Sequence, residues 1–152
     1  MSTFNYSYTI GFPKDTKITM TQAFEALRIK CREPMKFVPV MVGCEVIEES
    51  LTYIKRSITL NTGEGVIEEV YLYTPSLVTF KSNMGTYITN ILSEDVNGDL
   101  YLTFTFSMPI RSVVAGSEEE TAEKESVREL AAGTAEKSLR SILEMLDEGL
   151  LN

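Results

Sequence analysis

Between residues 43 and 109 the chain passes through a series of strand-like runs joined by connections too short to cross a sheet. The runs are 43–49, 53–61, 66–74, 77–83, 86–95 and 99–109. The breakers between them include Asn61-Thr62-Gly63-Glu64-Gly65, Pro75-Ser76, Asn83-Met84-Gly85 and Asn97-Gly98. Parallel neighbours need a crossover of a dozen or more residues, so these strands must follow one another as antiparallel hairpins. Such a meander has one apolar face, and that face has to be covered.

Only the C-terminal segment is long enough to cover it. Residues 117–148 read as one helix, about 45–50 Å long at 1.5 Å per residue. Val127, Leu130, Ala131, Thr134, Leu139, Ile142, Leu143, Leu146 and Leu150 recur at three- and four-residue steps, and the opposite face is charged. Ser117 with Glu120 reads as a capping box, and Glu118 to Glu120 sit where the helix dipole favours negative charge. Gly133 lies mid-helix, where it costs about 1 kcal/mol relative to alanine. It marks either a close contact or slight kink, or space for a ligand.

The N-terminal part supplies one more strand and a helix. Phe4, Tyr6, Tyr8 and Ile10 alternate with polar residues, a period of two. A helix follows at about 20–32, with Thr19 or Thr21 as N-cap and Ala23, Phe24, Leu27 and Cys31 as its apolar stripe. Pro34 ends it. Residues 35–42 are apolar and suit a short helix or a buried loop. Met35, Phe37 and Met41 in this stretch read as packing under a loop or as a lid.

The turns suggest which side chains share a face. Asn97-Gly98 suits a two-residue type I′ turn. Ile91 then faces Phe104, Thr89 faces Phe106 and Tyr87 faces Met108, all on one face. Asn90, Thr103, Thr105 and Ser107 fall on the other, which suits water. By the same logic Pro75-Ser76 sets Tyr73 opposite Val78 and Tyr71 opposite Phe80, with Glu69 on the same side. Ile54, Arg56, Ile58 and Leu60 share a parity, so one apolar face is expected to carry Arg56 near Glu69.

That pair reads either as a polar anchor inside an apolar pocket or as a solvent ion pair worth about 0–1 kcal/mol. The aromatic face reads as core alone or as core plus cavity lining. Glu45, Glu48, Glu49 and Glu68 read as the exposed carboxylates of strands and turns.

Composition removes whole classes of chemistry. Histidine is absent, which excludes Ser-His-Asp hydrolysis, Cys-His proteolysis and His-ligated metal sites. With 22 acidic and 14 basic residues the net charge is −8, a field that repels nucleic-acid phosphates and anionic lipid. Most of the excess lies in residues 117–152, with ten acids against four bases. The spacing of Cys31 and Cys44 fits no zinc or redox motif, and two reduced thiols are expected. Lys30 and Arg32 flank Cys31, the setting a reactive thiol needs. Residues 1–10 lack the pattern of a signal peptide and no stretch is apolar enough to span a membrane, so the expected address is cytoplasmic.

The order of strand, helix pair, six-strand meander and long terminal helix resembles the helix-grip fold of the START and birch-pollen-allergen (SRPBCC) superfamily. The run Cys31-Arg32-Glu33-Pro34-Met35-Lys36-Phe37-Val38-Pro39, followed by Cys44-Glu45-Val46-Ile47-Glu48-Glu49, is similar to the AtaL-like subfamily. So are Thr89-Asn90 before Glu94-Asp95 and the run Leu102-Thr103-Phe104-Thr105-Phe106. Val40 departs from it, since glycine is expected after Phe-Val-Pro. The resemblance implies a hydrophobic cavity and small-molecule binding. Superfamily relatives include polyketide cyclases, lipid carriers and chaperone activators, so the fold alone does not fix the activity.

The expected protein is therefore a single α+β helix-grip domain over residues 1–152, a curved antiparallel sheet of about seven strands around the C-terminal helix. A small hydrophobic or amphipathic molecule, such as a lipid, a polyketide-like compound or an aromatic metabolite, is expected between sheet and helix. Arg56 and Glu69 would orient it, and Tyr71, Phe80, Tyr87, Phe104, Phe106, Met108, Leu130 and Thr134 would line the site. No metal, cofactor or nucleic acid is expected, and a homodimer stays open. Two alternatives stand beside this: a cofactor-independent cyclase, dehydratase or isomerase, and a protein–protein adaptor with a filled core.

Overall fold

The computed structural model describes residues 2–110 and 113–152. In chain order they form β1 (Ser2–Gly11), α1 (Met20–Arg32), a 3₁₀ turn (Pro34–Lys36), β2 (Met41–Glu49), β3 (Tyr53–Leu60), β4 (Gly65–Tyr73), β5 (Leu77–Ser82), β6 (Tyr87–Glu94), β7 (Leu100–Ile110) and α2 (Glu118–Asp147). The strands make one seven-stranded antiparallel sheet in the order β1-β7-β6-β5-β4-β3-β2. This is the α+β helix-grip architecture. The first strand pairs with the last, so β1 and β2 are the two edges.

The helix ends follow local chemistry. Thr19 caps α1: its hydroxyl accepts the Gln22 N–H, and the Gln22 amide oxygen accepts the Thr19 N–H. Ser117 caps α2 by accepting the Glu120 N–H. Only half of the expected box forms there, because the Glu120 carboxylate takes the N–H of Gly116 instead.

Both predicted hairpin registers are off by one residue, for the same reason. The turn after β6 holds three residues, not two: Asp95 and Asp99 close it, and Gly98 takes a positive φ of 79°. The Asp95 carboxylate stabilises this longer loop by accepting the N–H groups of Asn97 and Asp99. The turn after β4 likewise leaves Thr74, Pro75 and Ser76 between the paired Tyr73 and Leu77. One extra loop residue flips the faces of the strand that is counted from it. Ile88 therefore faces Phe106, Asn90 faces Phe104 and Tyr87 faces Ser107. Asn90, expected in water, is fully buried, while Tyr71 and Tyr87 point outward and are exposed.

The sheet is covered unevenly. The α2 backbone runs alongside β1 and β7, and α1 packs against α2, β2 and β6. Two contacts tie α2 to β1: Tyr8 Oη donates to Glu136 at 2.9 Å, and the Arg128 guanidinium lies 5.5 Å from the Tyr6 ring centre. Ser141 Oγ donates to the Lys36 carbonyl at 2.9 Å, pinning the helix to the turn after α1. From Ala135 to Met145 the inner face of α2 is solid core, with Ala135, Leu139, Ile142 and Met145 buried. From Val127 to Thr134 it borders a cavity.

Gly133 makes neither the contact nor the space expected of it. It is exposed, α2 runs through it without a break, and an added Cβ would meet nothing within 4 Å. Gly133→Ala should therefore raise the unfolding free energy by about 0.5–1 kcal/mol, read from urea denaturation. A loss of stability would show that the glycine has a packing role.

Candidate functional site

The site is built on the concave face of the sheet. Arg56 lies between Ile54 and Ile58 on the inner parity of β3 and is only 2% exposed. A guanidinium cannot be left unpaired there, because desolvation costs several kcal/mol. Its partner is Glu68, directly opposite on β4, and not Glu69. Arg56 Nε and Nη2 both donate to Glu68 Oε1, at 3.0 and 2.6 Å. Nη1 donates to the Cys31 carbonyl at 2.9 Å and reaches the Lys30 carbonyl at 3.4 Å. Those are carbonyls of the last turn of α1, which have no partner inside the helix. The guanidinium carbon is 5.2 Å from the centre of the Phe80 ring.

A second cation stands beside this pair. Lys30 is 4% exposed, and its Nζ donates to Asn90 Oδ1 at 2.7 Å. The nitrogen lies 4.3 Å from the centre of the Phe104 ring and 5.4 Å from that of Phe80. Burial pulls the ammonium from its ordinary 10.5 down to about 7; Arg56 adds to the shift, while Cys31 and Glu68 oppose it. The adjacent Cys31 thiol goes the other way. Burial pushes it up to about 11, outweighing Arg56 and Lys30, so the cations beside it do not make it reactive.

Above these groups is a chamber of about 160 Å³. Phe80, Ile88, Phe104, Phe106 and Met108 form its sheet side. Val127, Leu130, Ala131 and Thr134 form the helix side, and Val38, Val40 and Met41 form a rim. Lys30, Arg56 and Glu68 are its charged groups. A cleft of about 340 Å³ shares Met41, Glu68, Ile88 and Met108 with it and reaches Glu64 and Met84 at the hairpin ends. The interior is thus a hydrocarbon cup with an ionic base and a way out.

Of the residues expected at the site, Arg56, Phe80, Phe104, Phe106, Met108, Leu130 and Thr134 do border the chamber. Glu69, Tyr71 and Tyr87 do not. Glu69 lies on the outer face, where its Oε2 accepts from Tyr53 Oη at 3.1 Å and Tyr71 Oη at 3.4 Å. Phe37 is core, Met35 is exposed, and Met41 is the one of those three that reaches the chamber. Val40, at the expected glycine position, lines the rim. Lys30 and Glu68 are the additions, and the fully buried Asn90, which does not line the chamber, holds the Lys30 nitrogen. Lys30 had a visible signal, because it falls on the three- and four-residue steps of Ala23, Ala26 and Leu27, all buried. Among the described residues no metal-binding cluster of three carboxylate or thiol side chains comes together.

A family model described as acetylaranotin biosynthesis cluster protein L matches residues 6–149. Among curated protein sequences nothing matches the chain. Several solved structures share the fold at low identity. The di-domain ARO/CYC protein StfQ, from the steffimycin biosynthetic pathway, superposes with a TM-score of 0.73 at 10% identity, covering 97% of this chain and 52% of StfQ. The chain thus spans about half the length of that protein, and likewise of the di-domain ARO/CYC BexL. The aromatase/cyclase Zhui from Streptomyces sp. R1128 gives a TM-score of 0.67 at 13% identity, over 95% of both chains. Ara h 8.0201 gives 0.62 at 12% identity, over 94% of this chain and 99% of its own.

The lowered Lys30 value carries a stability signature. Between about pH 7 and 10.5 the unfolded chain holds a proton that the folded chain has lost, so Lys30 makes stability rise with pH. Below about 7 both states are charged and the burial cost is fully present. Cys31 works in the opposite sense above pH 9, where the unfolded thiol ionises first. Between pH 7 and 9 the unfolding free energy of wild type should therefore gain about 2 kcal/mol relative to Lys30→Met. Parallel curves for the two proteins would show an ordinary lysine. Iodoacetamide should modify Cys44, which is half-buried, well before Cys31; the reverse order would show an activated Cys31 thiol.

Proposed function

The chain belongs to the acetylaranotin biosynthesis cluster protein L family, and from that footing and the shape of the chamber we propose that it binds a small hydrophobic or amphipathic molecule between sheet and C-terminal helix. One observation carries the reading: an almost wholly apolar cup is closed at its base by a buried arginine–glutamate pair and a lysine. Ligand sites have this composition, a hydrocarbon lining that supplies affinity and a few fixed polar groups that set orientation. A purely structural core would gain more from filling the space, because a void forfeits packing contacts. The adaptor reading needs a filled interior, and the chamber weighs against it.

The size and wall chemistry favour a flat aromatic or polyketide-like body. Phe80, Phe104 and Phe106 offer ring faces, and α2 contributes the small side chains of Ala131 and Thr134. The family's association with a biosynthesis cluster, and the ARO/CYC proteins among the structural neighbours, support the same class. Those neighbours also favour the second reading, an aromatase/cyclase-like reaction on the bound molecule without a cofactor. The polar groups a reaction would draw on are Lys30, Arg56 and Glu68. On this account residues 1–152 act as a single ligand-binding domain working in the cytosol with both thiols reduced.

The direct test fills the cup. Ala131→Phe places a ring against the chamber wall, and the fluorescence of 2-naphthalenemethanol reports binding. Wild type should bind the probe, and the variant should bind it about ten-fold more weakly or worse, a loss of 1.4 kcal/mol or more. The variant's melting temperature should hold or rise, because filling a void restores contacts. Equal binding by both proteins would place the probe elsewhere and overturn the assignment.

A further inference from the structure

We propose that Lys30 is a covalent capture site, its Nζ forming an imine with the carbonyl group of an aldehyde or ketone held in the chamber. The proposal rests on the ligand-binding reading above and names the class of ligand.

The geometry supports it in three ways. First, the amine borders the chamber and is not sequestered in a salt bridge: among the described residues the carboxylate beside the cations, Glu68, is engaged by Arg56. Second, among the described residues the one hydrogen bond of Nζ is to Asn90 Oδ1, an acceptor. The amine spends an N–H on it, and in the neutral form the lone pair stays uncommitted. Third, Asn90 Nδ2, on the same amide, is buried without a hydrogen-bond partner. An unpaired donor is costly in a dry site, so this amide, which holds the Lys30 nitrogen, has a hydrogen bond to gain where a ligand oxygen enters beside it.

The surroundings select the neutral amine. Lys30 is faced by Arg56 from β3, Glu68 from β4, Cys31 from α1, Asn90 from β6 and the rings of Phe80 and Phe104. The helix side of the chamber contributes Val127, Leu130, Ala131 and Thr134, none of them ionisable. With its proton held only to about pH 7, half of the amine is nucleophilic at neutral pH. A solvent lysine with a pKa of about 10.4 has about one amine in 2,500 in that form. Desolvation in an apolar pocket is an established way of activating a lysine toward carbonyl compounds.

The chemistry balances without a further reactant. The Nζ lone pair attacks the carbonyl carbon, the C=O π pair moves to oxygen, and a proton passes from nitrogen to that oxygen to give a carbinolamine. Nitrogen then supplies the pair that forms C=N as the C–O bond breaks. The hydroxyl leaves as water, taking the second amine proton. The open cleft gives the water an exit.

The test uses 2-naphthaldehyde, with sodium cyanoborohydride as the hydride donor that fixes any imine as a secondary amine. The protein of residues 1–152 is treated between pH 5 and 9, and the adduct is located by peptide mass spectrometry. The expected result is one naphthylmethyl group on Lys30. Labelling at neutral pH should exceed that of any other lysine by about a hundred-fold, allowing for the lower nucleophilicity of a less basic amine. The Lys30 adduct should rise through about pH 7, and Lys30→Met should remove it. Mapping on wild type makes the result independent of how that variant folds. Binding of 2-naphthalenemethanol by wild type separates the failures. If the alcohol binds but the aldehyde leaves Lys30 unlabelled, or labels all lysines alike, imine capture is wrong and the binding reading stands. If neither molecule binds, both fall together.

Discussion

The Arg56 guanidinium is the joint on which the interior depends. Three parts of the chain meet at its five N–H groups: Glu68 on β4, the last-turn carbonyls of α1, and β3 itself. Each connection answers a need of its neighbour. The helix end has carbonyls without partners, the carboxylate is buried, and the cation cannot stay dry alone. Removing one member leaves the others uncompensated, so the set stands or falls as a unit. Filling the same space with hydrocarbon would serve stability as well or better.

The cup exists because α2 is a helix with two jobs. Its C-terminal half packs as core, with Ala135, Ile142 and Met145 pressed inward. Its N-terminal half presents small side chains at Ala131 and Thr134, and the sheet answers with large rings that do not close the gap. The backbone of α2 runs alongside β1 and β7, and the space opens over the strands that carry Phe80, Arg56 and Glu68. Lys30 reaches the same space from α1, which closes the interior from the side. The rings and the ionic base come from different elements yet touch: Phe80 lies against Arg56 and Lys30, and Phe104 against Lys30.

The fold was legible in the sequence because its signals are long: seven alternating runs, a helix of thirty residues and turns at the breaker sites. The site was legible only where parity did not depend on loop length. Phe104, Phe106 and Arg56 were placed from alternation within their own strands. Glu69, Tyr71, Asn90 and Tyr87 are placed through turns, and a single additional residue in each turn reverses them. Asp95 explains the longer loop after β6, since its carboxylate accepts from two backbone N–H groups that a two-residue turn would orient differently. A strand's own pattern held a correction, because Asn90 sits between Ile88 and Leu92 at the spacing of a buried face. From sequence Lys30 reads only as a flank of Cys31, because a charged residue near a helix end is usually solvated; its place on the buried Ala23–Leu27 stripe is the signal of its burial.

We propose that the space between α2 and the sheet receives a small molecule. Crystals soaked in 6-bromo-2-naphthol and measured at the bromine absorption edge would locate one heavy atom directly. The account predicts an anomalous peak inside the chamber, between Phe104 and the Val127–Thr134 stretch of α2. A clear peak confined to the protein surface, with side chains rotated inward to close the chamber, would contradict it.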